Sequence, residues 1–219
     1  MRVAASEPRP LRKDAQRNRQ AILAAARDLF AARGLEVSMD EIARRAGVGV
    51  GTVYRRFPDK AVLIDALFED RLETLVQIAG QSLERDDPWE AVAWFMERYV
   101  SEQVEDRGLR ELLLSSPAGE NRAERARNRI KPIADELVRR AQEHGELRPD
   151  VAGTDLALLQ FMLAALVDYT GEVDALVWRR FLAIVLDGLA TVRTAPSPLP
   201  GAPLDDQSFD TVVRTWKSR

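Results

Sequence analysis

The residues with most chemistry to offer stand within seven positions of one another: Gly51, Thr52, Tyr54, Arg55 and Arg56. Hydroxyls and backbone N–H groups reach phosphate oxygens, and a guanidinium reaches phosphates or the acceptor edge of guanine. That set suits a nucleic-acid backbone better than a reaction centre. The alternatives are thin. There is no cysteine, hence no disulfide framework and no thiolate zinc site. The single histidine, His144, stands far from any paired carboxylate and closes its helix, where a cation suits the dipole. No phosphate loop, nucleophile elbow or zinc signature occurs. An enzyme is therefore not expected, nor a metal or other cofactor. Arg122, Arg125 and Arg129 share a helix face; they suit an anionic effector but read better as solvated surface.

Two short helices must hold the first set. Ser38 stands three residues before Glu41, the spacing of a capping box, with Val37 and Ile42 at the staple positions around it. Ala46-Gly47-Val48 interrupts, and Gly47 can take the positive φ of a sharp turn. A second helix follows over 50–57 and stops at Pro58. Residues 38–57 thus read as a helix-turn-helix, locked by Ile42, Ala43, Ala46, Val48, Val53 and Phe57. A plain helical hairpin with a basic face is the competing reading. The capping box, the glycine turn and the basic second helix agree on the first. Ahead of the pair, 14–33 carries the apolar stripe Ile22, Ala26, Leu29, Phe30 and ends at Gly34.

Helical spacing continues through the remaining chain, so the expected class is all-α. Asp59 can cap a long helix over 60–83, and Asp87-Pro88 starts another that ends near Gly108. A short apolar piece, Leu109 to Leu114, comes before a break at Pro117. A helix over 120–144 follows, with an expected kink at Pro132. Helices 155–169 and 175–193 carry more apolar residues than one core side absorbs, which suits pairing of two copies in a four-helix bundle. The expected organisation is a disordered arm at 1–13, a DNA-binding domain at 14–60, a second helical domain at 61–194 and a proline-rich tail at 195–219. The tail is expected to be mobile, with Phe209 to Trp216 able to dock.

Charge follows the same division. Residues 1–60 carry 13 Lys and Arg against 7 Asp and Glu, while the chain as a whole has net charge -3. A basic first quarter on an acidic body marks the end that meets a polyanion. The first residues lack the apolar core of a secretory signal, and the longest apolar run, 161–167, is far short of a membrane span. A cytoplasmic protein is expected.

Residues 15–63 resemble the DNA-binding domain of TetR-family transcriptional regulators. The likeness is carried by Ile22-Leu23-Ala24-Ala25-Ala26, Leu29-Phe30, Gly34, Met39-Asp40-Glu41-Ile42-Ala43, Ala46-Gly47-Val48 and the run Gly51 to Lys60. The resemblance implies a homodimer on a palindromic operator, probing two major grooves, with a C-terminal ligand-binding and dimerisation domain. It also implies residue roles. Thr52 and Tyr54 would contact phosphates, Val50 and Arg55 would face base edges, and Gly51 would allow close approach. Lys60 would hold a phosphate, while Arg17 and Ser38 would add backbone contacts. One departure stands at Gly49, where the family commonly has Ser or Thr. The resemblance further implies a small-molecule pocket, for which Trp94, Phe95, Tyr99, Phe161, Met162, Tyr169 and Trp178 are the candidates. The alternative is a DNA-binding dimer that answers to a protein partner or to nothing.

Overall fold

The computed structural model describes residues 9–105, 119–191 and 198–217. Nine α-helices account for nearly all of them: α1 (Arg9–Arg33), α2 (Met39–Ala46), α3 (Val50–Arg56), α4 (Lys60–Leu83), α5 (Pro88–Glu105), α6 (Gly119–Glu143), α7 (Gly153–Thr170), α8 (Val177–Leu189) and α9 (Asp206–Lys217). Among the described residues there is no strand, only one antiparallel bridge between Leu147 and Ala190. The all-α class holds.

Local capping sets most of the helix starts. The Asp59 carboxylate accepts from the Val62 N–H at 2.8 Å and the Asp87 carboxylate from the Glu90 N–H at 2.8 Å, opening α4 and α5 where the sequence places them. Other ends differ. α1 begins at Arg9, not Asp14, and Pro10 is tolerated in its first turn. So residues 9–13 of the expected disordered arm are helical. α8 ends at Leu189 instead of 193. There the backbone leaves the helix to pair elsewhere: Thr191 donates to Glu146 O at 3.0 Å, and Arg148 donates to Leu189 O at 3.1 Å. The tail holds α9, opened by an Asp205 carboxylate that accepts from the Ser208 N–H at 2.8 Å and packed on α7. The apolar piece at 109–114 and the Pro117 break lie outside the described residues.

The chain divides inside α4, after Leu72, not at residue 60. The first unit comprises Met1–Leu72 with Asp106–Arg122. Its core joins Ile22, Leu23, Ala26 and Phe30 of α1, Val37, Ile42 and Ala43, and Val53 and Phe57 to Leu63, Leu67 and Leu72 of α4. That burial is why α4's first half belongs with the short helices. Ion pairs Arg33–Glu41 at 2.8 Å and Arg45–Asp28 at 2.9 Å fasten α2 to α1.

The second unit, Glu73–Glu105 with Ala123–Arg219, buries Phe95, Met96, Leu137, Leu156, Leu163, Trp178 and Leu182. Here α5 meets both α7 and α8, which also meet each other. α6 runs on through Pro132 as one helix. Its Arg140 donates to Leu83 O at 2.7 Å and to Arg85 O at 2.9 Å, serving carbonyls where α4 ends. Gly153 opens α7 so close to α6 that a Cβ there would stand 3.1 Å from the Asp135 backbone nitrogen.

Candidate nucleic-acid interface

The α2–α3 pair is built by short-range bonds. The Ser38 hydroxyl accepts from the Glu41 N–H at 3.2 Å, and the Glu41 carboxylate accepts from the Ser38 N–H at 2.9 Å, closing the capping box. The Ser38 N–H, the Arg33 guanidinium and the Ser38 hydroxyl together hold the Glu41 carboxyl down at about 2, from an ordinary 4.5. Gly47 takes φ 67°, and the Val48 N–H reaches back to Ala43 O at 3.1 Å, so the chain turns within three residues. Gly49 then opens α3 with extended backbone and no side-chain cap.

On α3, Val53 and Phe57 point into the core, and helical spacing puts Val50, Gly51, Tyr54 and Arg55 on the exposed side. The Arg55 guanidinium donates to the Thr52 hydroxyl at 3.1 Å, which aligns the side chain along the outer face. A guanidinium has five N–H donors in a planar fork. This bond leaves it able to address a base edge or a phosphate.

Other expected contacts fall differently. Lys60, expected to hold a phosphate, donates to the Leu35 carbonyl, with its ammonium 5.8 Å from the centroid of the Phe30 ring. It ties α4 to the turn that follows α1. Arg56 is exposed yet donates to Ala15 O at 3.2 Å, pinning the end of α3 to α1. Ser38 is exposed, its hydroxyl engaged in the capping box. Arg17 stands in the interior of the longer α1 and pairs with Asp14 at 3.0 Å on the exposed surface.

The seven pocket candidates do not form one group. Phe95, Tyr99 and Trp178 are buried, with the Phe95 and Tyr99 rings 5.5 Å apart, while Trp94 and Tyr169 are half-buried. Phe161 and Met162 are 53% and 57% exposed. They share an outward face of α7 with Leu158, and α8 adds exposed Phe181 and Ile184. These are the two helices whose apolar excess suits pairing, and Leu158, Phe181 and Ile184 extend their exposed apolar faces. Arg122 departs from the expected solvated surface. It is 3% exposed, and its guanidinium lies 2.9 Å from the Asp65 carboxylate on α4. Arg129 pairs with Glu73 at 2.6 Å. Two residues escaped the sequence reading altogether: Gln103 and Gln160, both buried. An amide inside the otherwise apolar run of α7 was the available signal.

Among the described residues no helix is long and apolar enough to cross a membrane, and no group of His, Asp and Glu could hold a metal ion.

Comparison with known proteins agrees with this arrangement. Residues 22–67 match the model described as bacterial regulatory proteins, tetR family, and residues 87–191 match the SbtR-like transcriptional regulator C-terminal domain. A TetR transcription regulatory protein from Mycobacterium vanbaalenii is 39% identical, with TM-score 0.65 over 83% of this chain and all of that one. RolR, solved in complex with resorcinol, is 25% identical, with TM-score 0.53 over 86% of this chain and 98% of that one. An HTH-type transcriptional regulator of Staphylococcus aureus is 42% identical over 67 residues, 30% of this chain. The match spans 36% of the length of that curated relative.

Proposed function

From the premise that the chain belongs to the TetR family of bacterial regulatory proteins, we propose that it is a DNA-binding transcriptional regulator, a repressor that works as a homodimer on a palindromic operator. The observation that carries this reading is the outward face of α3, where Val50, Gly51, Tyr54 and Arg55 stand exposed on a tightly capped helix pair. Laid in a major groove, α3 offers Arg55 to a base edge, with Tyr54 and Thr52 to the flanking phosphates. A second copy places a second α3 about one helical turn of DNA away. The exposed apolar faces of α7 and α8 supply the pairing surface.

A small molecule releases the operator. The RolR complex with resorcinol supports this, being a relative across most of both chains with a bound ligand. Ligand and operator then act on one equilibrium. The ligand weakens operator affinity by some factor, and the operator weakens ligand affinity by the same factor.

The test is selection of sites from a random duplex library, followed by a mobility-shift panel of single-base variants. A palindromic site is expected. Arg55→Ala should lose about 1–3 kcal/mol at one base pair per half-site and become indifferent to its identity. An equal loss across all variants would make Arg55 a phosphate clamp, and failure to retain any duplex at low ionic strength would remove the reading.

A further inference from the structure

The tail helix α9 lies beyond residue 191, where the matched C-terminal domain ends, so that match does not account for it. Its approach is held by local bonds. The Arg180 guanidinium of α8 donates to Gly201 O at 3.1 Å, with Gly201 at φ 67°, and the Asp205 cap then opens the helix against α7. Helical spacing gives α9 one apolar stripe: Phe209, Val212, Val213 and Trp216. The head of that stripe does not face its own chain. Ser208, Thr211 and Val212 are half-buried, whereas Phe209 is 58% exposed. So α9 rests on a side that carries hydroxyls and turns its aromatic ring to solvent.

Elimination locates the seat of α9 on α7. Leu156, Leu163 and Val167 mark the buried arc of α7, and α5 and α8 pack against this helix. Leu158, Phe161 and Met162 mark the opposite arc, which stays more than half exposed with α9 in place. What remains is a flank between the two arcs, such as that of half-buried Leu159 and Leu166. The tail therefore runs beside the open apolar arc without masking it, and Phe209 widens that arc at its edge. Asp205, Asp206 and Asp210, on the turns around Phe209, repel a duplex or an anionic lipid surface. An apolar protein surface fits instead, and the outward face of α7 in a second copy presents one.

We propose that α9 is an arm of the pairing interface, with Phe209 of each copy packed against the outward face of α7 in the other, reciprocally across a two-fold axis. This rests on the homodimer reading above and adds to it a segment outside the matched domain.

The full chain tests it through its lack of cysteine, since a single introduced thiol reports on a single position. In the dimer, the thiol of Phe209→Cys should react with a maleimide at least about tenfold more slowly than that of Gln207→Cys, on the far, exposed side of α9. On dilution to monomer the two should react alike. Phe209→Asp should raise the dimer dissociation constant in sedimentation at least about tenfold, with helical content unchanged by circular dichroism. Equal reactivity in the dimer overturns the proposal, and so does an unchanged dissociation constant. A lowered constant overturns it too, by making α9 a restraint on pairing. Protection that appears only after operator DNA is added to the dimer gives Phe209 to the duplex and overturns it as well. The homodimer reading fails in its own way. A parent that stays monomeric at high micromolar concentration removes both, whereas a parent dimer with a reactive thiol at position 209 removes this proposal alone.

Discussion

Gly49 stands where a hydroxyl would cap α3, and the space it leaves is open: a Cβ there would meet only the Thr52 hydroxyl at 3.9 Å. Gly49→Ser should gain a few tenths of a kcal/mol in denaturant unfolding. It should also tighten binding to every operator variant alike, because a hydroxyl at that position reaches phosphate and not base. Glu41 makes a second prediction at this scale. Its carboxyl is held at about 2 against an ordinary 4.5, so its contribution to stability is full above 4.5 and is lost as pH falls toward 2. Melting temperatures measured from pH 6 down to pH 2.5 should fall less steeply for Glu41→Gln than for the parent. The same residues show what the sequence made legible. Ser38 and Glu41 find each other across three positions, so their bond could be read from spacing alone. Lys60 and Arg56 bond carbonyls 25 and 41 positions away, and no local pattern announces either partner.

The turn between α2 and α3 depends on one backbone conformation. Gly47 at φ 67° occupies the left-handed region that other residues enter at a cost of about 1–2 kcal/mol. Gly47→Ala should lose about that much in urea unfolding, with operator affinity falling as the angle between the helices loosens. Element starts were the most legible part of this fold, since caps at Ser38, Asp59 and Asp87 are local events. Ends fixed by tertiary pairing were not. α8 stops where Ala190 and Thr191 pair with residues 146–148, and α9 forms in a proline-rich tail because α7 offers it a surface. The pair of the buried Arg122 with the half-exposed Asp65 was hidden for the same reason, its partners lying 57 residues apart.

The proposed dimer makes the prediction that belongs to the molecule as a whole. Phe161 is exposed in the single chain, so Phe161→Asp should leave the fold intact, with unchanged helical content by circular dichroism. It should also place a charge opposite its own copy across a two-fold axis. Sedimentation should then report half the parent mass at micromolar concentration. A dimer of undiminished mass would move the pairing surface elsewhere. The charge division and the apolar excess of α7 were readable in composition, whereas the division of Phe161 and Met162 from Phe95, Tyr99 and Trp178 was not. Aromatic content says that a helix must be covered, and only packing decides whether its own chain does so. The Arg140 clamp carries a further consequence. One guanidinium on α6 closes the carbonyl of the last residue of α4 and that of Arg85, two positions further on. Neither terminus can fray without opening the other, so amides in the last turns of α4 and α6 should exchange their hydrogens with deuterium in step, as one cooperative unit.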